Sequence, residues 1–132
     1  MKIYCAGPIR GDTKFQKSYF SIIKIVESLG QEPLTELSSN FEKSKNSLSI
    51  YERDITWLKN AHKLIAEVSG PSTGVGYEIA YALHKIQIPV LALYSTESKK
   101  ISAMLLDNTS PLLTIQSYKN YEDLKLKIKE FI

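Results

Sequence analysis

The chain has 132 residues, a formal charge of +3, 43% hydrophobic and 23% charged residues, which is the balance of one ordinary globular domain and too little for two. No basic stripe interleaved with aromatic residues is visible, which argues against a nucleic-acid binder, and no apolar stretch is long enough to span a bilayer. The single cysteine, Cys5, excludes an internal disulfide framework and a multi-cysteine metal site.

Residues 2–6 form a short, mostly apolar run ended by Gly7-Pro8 and read as a buried strand with Cys5 as inert packing. The start enters this strand pattern without a signal-peptide region, so a cytoplasmic protein is expected. From about residue 13 to 29 the apolar positions Phe15, Tyr19, Ile22, Ile23, Val26 and Leu29 recur at helical spacing, and Gly30 stops them. A short strand is predicted over 32–35, and the serine-rich stretch 37–47 reads as a mobile loop. A helix over 49–60 carries Ile50, Ile55, Trp57 and Leu58. Residues 64–68 form an apolar strand interrupted only by Glu67. A helix over 75–85, a strand over 88–94, a short helix over 101–106, a strand over 112–115 and a last helix from Tyr121 follow. The lysines of that helix (Lys125, Lys127, Lys129), with Lys119 before it, read as a solvated amphipathic face. Strands alternating with amphipathic helices predict a single α/β domain over residues 1–132. Its architecture is doubly wound and Rossmann-like (flavodoxin-like), a five-stranded parallel sheet covered on both faces.

In such sheets ligands bind beyond the carboxyl ends of the strands. Two turns there are rich in Gly, Ser or Arg: Gly7-Pro8-Ile9-Arg10-Gly11 and the stretch from Ser69 to Gly76. The segment Pro71-Ser72-Thr73-Gly74-Val75-Gly76-Tyr77-Glu78 has the makings of an anion cradle, since small residues let backbone N–H groups approach a ligand at a helix N-terminus. Ser72 can cap that helix and still face an anion. Glu78 reads either as an acidic residue favoured by the helix macrodipole in the first turn or as a functional carboxylate, and its place at the ligand rim favours function. A helix N-terminus would keep it ionised, which suits a nucleophile or an electrostatic stabiliser better than a general acid. Asp54 reads by periodicity as a solvated charge beside Glu52 and Arg53. It also shares a helix face with Ile50, Trp57 and Leu58, and partial burial there would raise its pKa, as a general acid requires. Arg10 can offer a planar fork of donors to a phosphate. His62 and His84 lack further ligands at metal-binding spacing, and neither a nucleophile elbow nor a Walker-type phosphate loop is present.

Several of these elements together resemble one family. Tyr4 with Gly7-Pro8-Ile9-Arg10-Gly11, then Glu52-Arg53-Asp54-Ile55-Thr56-Trp57-Leu58, Ala66-Glu67-Val68 running into Pro71 to Glu78, and Ser102-Ala103-Met104 are similar, in order, to the 2′-deoxynucleoside 5′-monophosphate N-hydrolases of the nucleoside 2-deoxyribosyltransferase superfamily. The resemblance implies a Rossmann-like homodimer that cleaves the N-glycosidic bond of a deoxynucleotide without metal or organic cofactor. It implies that Glu78 is the nucleophile, Asp54 the acid assisting the departing base, and Tyr4 a tyrosine beside the catalytic carboxylate. Gly7, Ile9, Arg10, Gly11, Ser72, Gly74 and Gly76 match the 5′-phosphate site, and Ser102 matches a serine supplied to it by the neighbouring subunit. Two positions depart from the pattern. Pro8 stands where the hydrolases usually carry serine, a Gly-Pro turn being more typical of the deoxyribosyltransferases, and it brings neither hydroxyl nor N–H. His62 replaces a usual aspartate and reads as structural.

These residues leave three readings open. The first is hydrolysis through a glutamyl–deoxyribosyl intermediate, parallel to the two-carboxylate chemistry of retaining glycosidases. The second is base exchange, or hydrolysis of a ribonucleotide such as CMP, by the same site. The third is a nucleotide-binding module without catalysis, since fold alone does not imply chemistry.

Overall fold

The computed structural model describes residues 1–9, 14–36 and 49–132. Arg10, Gly11 and the predicted loop 37–47 fall outside the described residues. Five strands, β1 (Lys2–Ala6), β2 (Glu32–Leu34), β3 (Lys63–Glu67), β4 (Val90–Ser95) and β5 (Leu113–Tyr118), form one sheet in the order β2-β1-β3-β4-β5. Every pairing is parallel. This is the flavodoxin-type order, in which the chain reverses direction of winding beside β1 and leaves a crevice between the ends of β1 and β3.

Side chains along a strand alternate between the faces of the sheet, and here they sort into two cores. Tyr4, Ala6, Leu64, Ala66, Val90 and Ala92 pack on one side with residues of α2 (Ile50–Asn60) and α3 (Thr73–Tyr81). Ile3, Cys5, Ile65, Leu91 and Leu93 pack on the other with α1 (Gln16–Ser28) and α5 (Tyr121–Phe131). Strands buried on both faces explain the near-continuous apolar runs in the sequence. Cys5 is indeed inert packing, for burial pushes its thiol pKa far up and the thiolate is inaccessible.

The helices end where their chemistry says they should. Of the predicted stripe, Tyr19, Ile22, Ile23 and Val26 are buried in α1, together with Ile25, while Phe15 and Leu29 at its ends are only partly buried; Gly30 follows with φ +76°, a backbone state that glycine adopts without a Cβ penalty. The Ser49 hydroxyl caps α2 by accepting from the Glu52 N–H at 3.1 Å, and Asn120 caps α5 by accepting from the Asp123 N–H at 2.9 Å. Ile50, expected on the buried face of α2, is half exposed instead, at the first position of the helix. α3 begins two residues earlier than the spacing predicted, at Thr73. It then passes into a π-helical turn, Ala82–Ile86, closed by Gln87 at φ 63°. A four-residue helix, α4 (Ala103–Leu106), lies between β4 and β5. Among the described residues no helix is long and apolar enough to cross a membrane.

Candidate active site

The site begins with a residue of the core. Tyr4 sits in the middle of β1, 4% exposed, with its side chain on the α2/α3 face of the sheet. From there its hydroxyl donates to Oε2 of Glu78 on α3. α3 is anchored beneath the carboxylate by Val75 and Ile79, both buried, so the backbone under Glu78 is fixed by packing.

Glu78 is the sixth residue of α3 and lies beyond its first turn. The expectation that the helix terminus would hold it ionised is therefore corrected, because the macrodipole acts within the first turn. Burial dominates and raises the Glu78 pKa to about 7. The side chain is a carboxyl group more basic than that of an exposed glutamate.

Asp54 reaches the same pocket from α2, along with Arg53, Trp57 and Glu36. The pKa of Asp54 is raised, first by burial, with Arg53 pulling it down and Glu36 adding a smaller upward push. The predicted partial burial is thus observed. Arg53, to which sequence reading gave no role, has a defined task here. Its Nε donates to Asp54 Oδ1 at 3.0 Å, another of its nitrogens pairs with Glu36 at 3.1 Å, and its guanidinium lies 4.9 Å from the centre of the Trp57 ring. A planar guanidinium held on three sides fixes the carboxylate it touches. Glu36 left no signal of its own in the sequence, because its partner lies on a different element.

Gly7 lines this pocket with Tyr4 and Ile9. A methyl group at position 7 would run into the ring of Tyr19. Tyr19 is 1% exposed; its hydroxyl donates to the Cys5 carbonyl at 2.9 Å and shares a 2.7 Å hydrogen bond with Thr35. Gly7 is therefore required by close approach of a ring, a need distinct from the phosphate contact implied for it.

On the other side of α3 the cradle residues line a separate, larger groove of about 500 Å³, against about 40 Å³ for the carboxylate pocket. Ser72 caps α3, its hydroxyl accepting from the Val75 N–H at 3.3 Å. A Cβ built at Gly74 or Gly76 would meet nothing within 4 Å, so these glycines leave the first turn of α3 open. Ser102 lines the same groove as Ser72 and Gly76 of its own chain, together with Lys100 and Met104, and is absent from the carboxylate pocket. Met104 is the most exposed large hydrophobic residue there, at 82%. His62 is structural, as read: its ring Nδ1 accepts from the Lys2 backbone N–H at 3.0 Å while its backbone N–H donates to the Lys2 carbonyl at 2.8 Å. The structure thus gathers Tyr4, Asp54, Glu78, Gly7 and Ile9 on one pocket, and Ser72, Gly76 and Ser102 on the adjoining groove.

Comparison with known proteins identifies relatives over nearly the whole chain. The chain is 39% identical to a protein of Syntrophotalea carbinolica named provisionally as 2′-deoxynucleoside 5′-phosphate N-hydrolase 1, over 98% of this chain and 93% of that one. It is 35% identical to the 5-hydroxymethyl-dUMP N-hydrolase of Danio rerio, over 92% of this chain and 90% of that one. The solved structure of the Clostridium botulinum CMP N-glycosidase, BcmB, superposes with a TM-score of 0.70 over 100% of both chains at 15% identity, a likeness of fold. The family model described as nucleoside 2-deoxyribosyltransferase matches residues 3–124, and the chain belongs to that family.

Proposed function

We propose that the protein hydrolyses the N-glycosidic bond of 2′-deoxynucleoside 5′-monophosphates, releasing the free base and 2-deoxyribose 5-phosphate. The observation that carries this reading is the meeting of two carboxylates of raised pKa, Glu78 and Asp54, in one pocket beside the open N-terminus of α3. The names of the relatives support it.

In this mechanism an oxygen of Glu78 attacks C1′ while the C1′–N bond breaks. The bonding pair leaves on the base, and Asp54 delivers the proton that neutralises it. Tyr4 occupies Oε2 of Glu78 and leaves Oε1 as the attacking atom. Water then adds to C1′ with its proton passing to Asp54, and the glutamyl ester bond breaks to restore the carboxylate. Without a 2′-hydroxyl, charge developing at C1′ is less opposed, so positioning and two carboxyl groups suffice. The first-turn N–H groups of α3, with Ser72, Gly74 and Gly76, bind the phosphate. By the family resemblance, Gly7, Ile9, Arg10 and Gly11 also belong to the phosphate site. Holding the phosphate fixes C1′ against Glu78 with energy drawn from a part of the substrate that does not react. The full assembly is a cytoplasmic homodimer in which Ser102 of the partner subunit completes the phosphate site.

Chromatography of released base across deoxynucleotides, ribonucleotides and unphosphorylated nucleosides tests the substrate class. Glu78→Gln is expected to abolish release, and mass spectrometry of wild-type protein quenched during turnover should show a deoxyribose-phosphate adduct on the peptide containing Glu78. Retained turnover in Glu78→Gln would remove the nucleophile assignment. Formation of a new nucleoside when a second base is supplied would point to base exchange. Undiminished nucleotide binding after neutralising both Asp54 and Glu78, with no base ever released by wild type, would leave a binding module.

A further inference from the structure

Glu67 is the anomaly of the central sheet. It ends β3 and is 2% exposed, on a strand whose other buried side chains are apolar. Burying a carboxylate costs free energy that a neutral side chain of the same size would not incur. Each of its oxygens has a partner: Oε1 accepts from the Ser69 N–H at 2.6 Å, and Oε2 accepts from the Tyr118 hydroxyl on β5. By the alternation of β3, Glu67 lies on the α1/α5 face with Ile65 and Tyr118, across the sheet from Glu78 and Asp54. It does not touch the reacting centre.

What Glu67 touches is the turn that carries the phosphate cradle. Ser69 is itself 1% exposed and is held at each polar group. Glu67 takes its N–H, the Ser95 N–H donates to its hydroxyl at 2.7 Å, and the Ser98 hydroxyl donates to its carbonyl. The Ser98 hydroxyl oxygen in turn accepts from the Lys100 N–H at 3.3 Å. Three residues beyond Ser69 the chain reaches Ser72, the cap of α3. Four beyond Ser98 it reaches Ser102, the cap of α4. Both serines line the one groove.

We infer that Glu67 is a positioning residue for phosphate binding, staking Ser69 so that the turn bearing Ser72 is held for this protomer's phosphate site and the segment bearing Ser102 for that of its partner. The inference rests on the N-hydrolase reading for its substrate, and its test separates the two. Glu67→Leu keeps the volume and removes the acceptor, Glu67→Gln restores an acceptor for the Ser69 N–H, and Tyr118→Phe removes one donor at a distance from the site. Each variant is measured for kcat and KM on a deoxynucleoside monophosphate, and for the Kd of inorganic phosphate by calorimetry.

Losing a buried hydrogen bond of this kind should raise KM and the phosphate Kd together by about tenfold in Glu67→Leu and by less in Tyr118→Phe. The variant kcat should stay within about threefold of wild type, and Glu67→Gln should return KM and Kd most of the way. A purely architectural role lowers the folded fraction, and with it kcat, leaving KM and Kd where they were; that outcome overturns the inference. If Glu67→Leu does not fold, Tyr118→Phe against Glu67→Gln decides by the same criteria. If wild type releases no base from any deoxynucleotide, the N-hydrolase reading falls, while the phosphate Kd series still decides whether Glu67 positions the turn.

Discussion

Glu78 carries opposite demands. A nucleophile must be ionised when substrate arrives, yet burial raises this carboxyl to about 7. The hydroxyl of Tyr4 works against burial, since a donor on Oε2 favours the charged form. The acid limb of kcat/KM should therefore fall near pH 7 in the wild-type enzyme, with ionisation of Glu78 switching activity on. Tyr4→Phe should move that limb to higher pH and lower the rate at pH 6 more than at pH 8. A limb that stays in place in a pH–rate profile would detach Tyr4 from the ionisation of Glu78. Asp54→Asn should lower kcat by roughly 10²–10⁴, the range for losing a positioned acid. At this scale sequence reading found the carboxylates from their motifs. It missed what controls them. Arg53 holds Asp54 from within α2, where Trp57 also lies against the guanidinium, and Arg53 is itself paired with Glu36 just beyond β2, a contact that separation along the chain hides.

Among the elements, α3 joins binding and chemistry in one rigid body. Its first turn is open at Gly74 and Gly76, while its second carries Glu78. The open glycines are a cost to the helix, because glycine in a helix interior is about 0.5–1 kcal/mol worse than alanine. Gly76→Ala should accordingly raise the melting temperature slightly while a methyl in the cradle raises KM for the nucleotide. Thermal melts and steady-state kinetics on one preparation check both signs, and loss of stability would show that the glycine serves packing after all. The helices and strands were legible from spacing and punctuation, to within a few residues at their ends. At the start of α3 a difference of two residues mattered. Ser72 begins the helix at Thr73 by its side-chain cap, earlier than the apolar spacing alone indicates, and this shift takes Glu78 out of the first turn.

For the whole molecule, the parallel order β2-β1-β3-β4-β5 brings the ends of β1 and β3 side by side, and the site forms there. The alternation of strands and helices foretold a doubly wound sheet, whereas strand order depends on long-range packing that local spacing does not encode. Stability should also register the site. The folded pKa of Glu78 is about 7 and its ordinary value 4.5, so the folded state binds the extra proton between those values. The contribution of protonated Glu78 to stability is thus complete below about pH 4.5, declines as pH rises through 7, and is gone above it. Glu78→Gln should be more stable than wild type at pH 8 by ~2 kcal/mol and nearly equal to it at pH 4. Denaturant unfolding at the two pH values measures the difference, and an equal gain at both would assign it to something other than ionisation.

The ring of Tyr19, filling the space beside Gly7, makes the two positions dependent on each other in descent. A lineage that gains a methyl at position 7 while keeping the ring must displace a side chain bonded to both Cys5 and Thr35. If the ring is lost first, the same methyl enters vacated space. The order of substitution therefore decides whether the intermediate folds. Gly7→Ala should cost markedly less stability in a Tyr19→Leu background than alone, a sign of epistasis that a double-mutant cycle measures directly.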